Sequence, residues 1–166
     1  MTEVKKGFNR VQDYSWIIAR THAHGIAVQA GIVFGFDHDT PEIFEETLDF
    51  LEAAGVQNAT FNILTPFPGT PLFQKLESEG RLLTCDWRKY NSREDVVYRP
   101  AQMSPEELLA GYRYANERFY SLHSIARRLS RSPVQLCWTL PLNLAYGYQW
   151  KKSANPRQPV RIQKEW

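Results

Sequence analysis

Two consecutive strand–turn–helix units dominate this chain and restrict what it can fold into. Ala27–Phe36 is an apolar run entering Asp37-His38-Asp39-Thr40-Pro41, and Asn58–Thr65 is a second run entering Pro66-Phe67-Pro68-Gly69-Thr70-Pro71. Each reads as a strand, a tight turn and a helix opened at Thr-Pro, where threonine caps and proline sacrifices no needed amide. A helical spacing over residues 9–24, stopped by Gly25, precedes them, and the helix between the strands should span 41–54 before Gly55. Helix, strand, helix, strand with short links implies a right-handed β-α-β crossover and parallel strands. The sparse polar breaks at 27–36 predict a strand covered on both faces. In such folds chemistry gathers at the turns that follow the strands.

Downstream the pattern becomes helical. A short helix is predicted over 71–79, closed by Gly80. Residues 82–100 are irregular, with Trp87, Tyr90 and Tyr98 as anchors and Val96-Val97-Tyr98 as a short edge strand. Ser104-Pro105-Glu106-Glu107 is a capping box that opens a helix reaching about Arg131. Ser132-Pro133 opens a last apolar segment to about Tyr148, and the end after Lys151 reads as an unstructured tail.

Composition excludes several classes. Hydrophobic residues at 43% and charged ones at 23% suit a globular chain, and a net charge of +2 does not point to nucleic acid. The basic residues are concentrated at the end: from Arg127 onward Glu165 is the one acid. Two distant cysteines, Cys85 and Cys137, provide neither a disulfide framework nor an all-cysteine metal site. No apolar leader opens the chain, and no run approaches the roughly 18 apolar residues of a membrane span, so a cytoplasmic location is expected.

Asp37-His38-Asp39 could meet a ligand or metal, or could cap a helix and be solvated. His22, His24 and His123 read as surface residues. Gly31 and Gly35 interrupt a strand four residues apart, which marks a close backbone approach by a ligand or by a packed helix. The prolines after Thr65 rigidify the strand exit, as a cleft wall or a structural turn. The apolar segment from Val134, flanked by Arg127, Arg128, Arg131, Lys151 and Lys152, either packs internally or lies on a membrane surface.

Gly31-Ile32-Val33-Phe34-Gly35-Phe36-Asp37-His38-Asp39-Thr40, Leu64-Thr65-Pro66-Phe67-Pro68-Gly69-Thr70-Pro71-Leu72, Gly80-Arg81 and Asp86-Trp87-Arg88-Lys89-Tyr90 together resemble the later part of radical S-adenosylmethionine (SAM) enzymes. The likeness covers roughly residues 5–130 and is strongest to the subfamily with an N-terminal cobalamin-binding domain. It implies an α/β fold: strands five and six of a partial (β/α)6 barrel over 1–80, a mainly helical C-terminal extension over 81–150, and a basic tail over 151–166. It further implies a SAM adenine pocket bordered by Gly31, Val33 and Gly35 from one strand and Leu64, Thr65 and Pro66 from the next, with His38 where the family places an acid. The family's 4Fe–4S cluster needs a Cys-x3-Cys-x2-Cys run that this sequence lacks, so no metal ligand and no catalytic residue is assigned. The cluster and cobalamin are expected of the full-length family alone. The resemblance implies a fragment that does not cleave SAM by itself and needs the preceding barrel half, from the same polypeptide or a partner chain, to meet a small-molecule substrate. The alternative is a non-catalytic remnant that binds no cofactor.

Overall fold

The computed structural model describes residues 11–131 and 134–153. In order they form α1 (Val11–Ala23), β1 (Gln29–Phe34), α2 (Ile43–Ala53), β2 (Asn58–Ile63), α3 (Pro71–Ser78), a 3-10 turn (Trp87–Lys89), α4 (Pro105–Phe119), α5 (Leu122–Arg131) and α6 (Leu136–Ser153). The fold is mixed α/β, with six helices and one two-stranded sheet among the described residues. β1 and β2 are parallel, with Gly31 beside Thr60 and Val33 beside Asn62.

The period of two along each strand decides where the core lies. Phe34, Ala59, Phe61 and Ile63 are buried on the face covered by helices. There the Phe34 ring lies 4.7 Å from that of Phe44 on α2 and 5.8 Å from Phe61, which meets Phe119 of α4 edge-on at 5.4 Å. Leu48, Leu51, Leu108, Tyr112 and Ala115 complete this layer, so α2 and α4 cover the sheet together. Helix α4 comes close because Gly111 has no side chain: a Cβ there would lie 2.0 Å from the Phe44 ring.

The other face is open, which corrects the expectation that β1 is covered on both sides: Gln29 and Gly31 are exposed and Val33 is 41% exposed. Along β2 the same face is half-buried at Thr60 and Asn62 and closed at Asn58, whose side chain meets the Tyr120 hydroxyl. The free side of β2 is partly closed, since the Ile63 amide donates to Ser92 O at 2.8 Å.

Other boundaries shift for local reasons. Helix α2 starts at Ile43, two residues after the proline, because Thr40 bonds the Glu42 carboxylate and its carbonyl accepts from the Ile43 amide in a preceding turn. Helix α3 begins as read, with Thr70 Oγ1 accepting from the Phe73 amide and Pro71 first in the helix. The capping box of α4 is complete: Ser104 Oγ accepts from the Glu107 amide at 3.1 Å and Glu107 Oε2 from the Ser104 amide at 2.7 Å. The single long helix read to Arg131 is instead two. Tyr120 leaves the helix to send its hydroxyl to Asn58 Oδ1 and Ala59 O, and Ser121 Oγ accepts from the Ser124 amide to start α5. Val96-Val97-Tyr98 makes a lone antiparallel bridge, Leu82 to Tyr98, rather than a strand. Tyr90 and Tyr98 are buried anchors, whereas Trp87 is half exposed against Phe73 and Tyr90.

The last helix continues to Ser153, past the expected end at Tyr148, so Lys151 and Lys152 are helical. The Ser132-Pro133 start, residues 9–10 of the first predicted helix, and the tail beyond Ser153 lie outside the described residues. Among the described residues no helix is long and apolar enough to cross a membrane.

Candidate functional site

Parallel strands deliver their following loops to one end of the sheet, and here both loops are held by side chains. Asp39 folds back on the exit of β1, its Oδ2 accepting from the amides of Gly35 at 2.8 Å and Phe36 at 3.0 Å. Asp37 reaches across to the second unit, accepting from Lys75 Nζ at 2.7 Å and from the Arg81 guanidinium at 2.6 Å. The Arg81 hydrogen bond, aided by Lys75, holds the Asp37 carboxyl at about 2, below its ordinary value. Both acids therefore brace the loops. His38 between them is exposed, as are His24 and His123.

The two glycines of β1 have different surroundings. Gly31 lies within the strand, and a Cβ built there meets nothing within 4 Å. Gly35 lies beyond the strand end with φ +105°, so it does not share the face of Gly31. A Cβ at Gly35 would lie 2.3 Å from the Tyr98 hydroxyl and 2.8 Å from Leu108 Cδ2. That hydroxyl donates to Gly35 O, and burial pushes its pKa well above that of an ordinary phenol. Packing and backbone conformation account for glycine at 35. Neither accounts for it at 31.

At the exit of β2 the Leu64 amide continues the ladder, donating to Phe34 O at 2.8 Å. Thr65 and Pro66 are buried, and Thr65 Oγ1 donates to Ile63 O at 3.1 Å. The structure thus brings Val33, Gly35, Leu64, Thr65 and Pro66 to one end of one sheet, with Gly31 nearer the middle of β1. Of these, Gly31 and Val33 present surface on the open face. Thr60 and Asn62 share that face through their pairing with Gly31 and Val33, and both are half-buried. The alternation Asn58-Ala59-Thr60-Phe61-Asn62-Ile63 is the sequence signal that places them there.

Cys85 and Cys137 are both exposed, one in the 82–90 segment and one on α6. Two thiols cannot supply three cluster ligands, and among the described residues no three His, Cys, Asp or Glu side chains gather as a metal site. The donor set present does not fit an iron–sulfur cluster.

A family described as a domain of unknown function (DUF4070) matches residues 70–139. The chain is 33% identical over 138 residues to a bacteriochlorophyllide d C-12(1)-methyltransferase of Chlorobaculum tepidum, covering 83% of this chain and 30% of the relative. It is 34% identical over 128 residues to a hopanoid C-2 methylase of Rhodopseudomonas palustris, covering 68% and 24%. An anaerobic magnesium-protoporphyrin IX monomethyl ester cyclase of Cereibacter sphaeroides is 33% identical over 95 residues, covering 57% and 15%. The chain spans less than a third of the length of these relatives. It belongs to the radical SAM family, grouping with the subfamily whose members carry an N-terminal cobalamin-binding domain.

Proposed function

We propose that this chain is the C-terminal part of a radical SAM enzyme and supplies the adenine-side wall of its SAM site. The observation that carries this reading is Gly31: an exposed glycine in a strand, with open space where its side chain would be. A strand glycine that packing does not require is suited to a ligand lying flat on the backbone. Val33 beside it offers apolar contact, while Thr60 and Asn62 offer hydrogen-bonding groups to a heteroaromatic ring. Gly35, Thr65 and Pro66 shape the strand exits instead, since their polar groups or volume are already committed within the loops. SAM, when bound beside a cluster, supplies the radical chemistry; this chain's residues bind and orient the nucleoside end. The cluster ligands, any cobalamin-binding domain and the residues that meet the small-molecule substrate would come from the preceding barrel half or a partner chain. Methyl transfer is the reaction class that the methyltransferase relatives suggest.

The test is a chimaera in which this chain replaces the matching segment of the bacteriochlorophyllide d methyltransferase. The chimaera should cleave SAM, and Gly31→Val within it should raise the KM for SAM at least tenfold, with far-UV circular dichroism unchanged. The isolated 166-residue chain should bind no stoichiometric iron after anaerobic reconstitution. An unchanged KM in the folded Gly31→Val chimaera would remove the adenine-wall assignment.

A further inference from the structure

Helix α6 turns the wrong way round for a helix that serves only a core. Its inward residues include two polar ones, Thr139 and Asn143, both buried. Asn143 Nδ2 donates to Gln57 O at 2.8 Å, and its Oδ1 accepts from Arg128 at 3.1 Å. Leu136, Trp138, Leu140, Leu142, Leu144 and Tyr148 face outward, each at least 43% exposed and Trp138 reaching 75%. Of the two readings of this segment, internal packing holds for Thr139, Asn143, Tyr146 and Trp150 but not for these exposed side chains. At 100° per residue, Leu136, Leu140 and Leu144 form one stripe along the helix. Together with Leu122, Ile125 and Leu129 of α5 they line an apolar groove of about 350 Å³.

Scattered exposed leucines are ordinary, but a contiguous band of this kind marks a surface that is covered when the protein functions. Charge indicates what covers it. No Asp or Glu occurs between Glu117 and Glu165, while Lys151 and Lys152 are exposed at the end of the band and Arg157, Arg161 and Lys164 follow in sequence. An apolar helix face carrying leucines and Tyr148, ending in lysines and free of acids, complements an anionic lipid surface. The helix lies along that surface rather than crossing it, since it falls short of a membrane span.

We propose that the α5–α6 face docks on anionic membranes, with Leu136, Leu140, Leu144 and Tyr148 entering the headgroup–acyl boundary and Lys151 and Lys152 meeting anionic headgroups. This stands independently of the SAM-wall reading. The test is flotation of the 166-residue chain with vesicles of phosphatidylcholine and phosphatidylglycerol in equal parts, against vesicles of phosphatidylcholine alone. The chain should float with the mixed vesicles. The double change Lys151→Ala/Lys152→Ala should lower partitioning about 30-fold, at roughly a factor of five per lysine. Leu140→Gln/Leu144→Gln should abolish flotation, whereas Trp16→Gln, at an exposed site on α1, should not. All five substituted positions are exposed, so far-UV circular dichroism should match the parent. Equal flotation by the leucine variant, equal binding to neutral vesicles, or a stable dimer that stays unbound would overturn the proposal, the last by assigning the face to a second copy.

Discussion

The contrast between Gly31 and Gly35 makes a sharp prediction, because the two glycines interrupt the same apolar run and differ in backbone conformation and in what surrounds them. Alanine at 35 meets three costs. Its φ of +105° lies where an L-residue is strained by about 1–3 kcal/mol. The new Cβ would sit 2.3 Å from the Tyr98 hydroxyl and 2.8 Å from Leu108, a clash worth about 1–3 kcal/mol in a packed core. Moving Tyr98 to relieve that clash breaks its bond to Gly35 O, leaving a buried acceptor at about 1–3 kcal/mol. The last two overlap, since one movement trades clash for lost bond. A total near 3–5 kcal/mol follows, a large share of the roughly 5–15 kcal/mol that holds a domain folded.

Alanine at 31 meets open space and ordinary strand backbone, so it should be neutral or stabilise by up to about 1 kcal/mol through the unfolded state. Urea unfolding followed by circular dichroism reads both, and the Gly35→Ala midpoint should fall by about 2 M for a slope near 2 kcal/mol/M. A double-mutant cycle with Tyr98→Phe isolates the hydroxyl: removing it clears the shortest contact, so the two changes should couple by about 1–2 kcal/mol. If Gly31→Ala costs as much as Gly35→Ala, the assignment of one glycine to packing and the other to an open surface is wrong.

Gly111→Ala on α4 should gain about 1 kcal/mol of helix propensity yet destabilise by about 1–2 kcal/mol net, because its Cβ meets the Phe44 ring at 2.0 Å. Phe44→Leu in the same chain should recover part of that loss in a melt. Asp37, lowered from 3.8 to about 2, adds stability that is full above pH 4 and is lost as pH falls towards about 2. With Asp37 and Lys75 partly exposed, the contribution is screened to about 1 kcal/mol, so Asp37→Asn should match the wild type in acid and fall below it at neutral pH in urea titrations. Arg128 is fully buried and, among the described residues, has no direct carboxylate partner, donating to Val56 O, Gln57 O and Phe119 O, and burial lowers its pKa to about 10. Arg128→Met should cost about 3 kcal/mol by denaturant titration, and Arg128→Lys should not restore it because an ammonium lacks the planar fork.

Local signals in the sequence carried much of the fold. The Thr70-Pro71 start, the Ser104–Glu107 box and the glycine stops at 25, 55 and 80 depend on neighbouring residues alone, and all three glycines take the positive φ their positions demand. The features that escaped depend on distant partners. Nothing near Tyr120 in sequence reveals that Asn58 and Ala59 hold its hydroxyl and so divide the helix. Nothing near Asn143 reveals that Arg128 and Gln57 draw it inward and leave the leucines outside. At the candidate site, Gly31 and the proline-rich exit were visible as unusual residues. Thr60 and Asn62 were visible only as alternation, which the register with β1 turns into a shared face.

That shared face bears on why a two-stranded sheet can stand with one side bare. An isolated pair of strands is marginal, and a bare apolar face would attract aggregation. Here the apolar investment lies on the other side, where Phe34, Phe61 and Ile63 are buried beneath α2 and α4. The open side carries Gly31, Thr60 and Asn62, which lose little in water, with Val33 as its apolar exception. A face destined to pack against another hydrophobic layer would carry the Val, Ile and Leu of a doubly covered strand. A face lining a polar cavity with room for a flat ligand needs small and hydrogen-bonding groups at the same positions. The residues of β1 and β2 fit the second requirement, and the same choice leaves the helix-covered face to hold the sheet together.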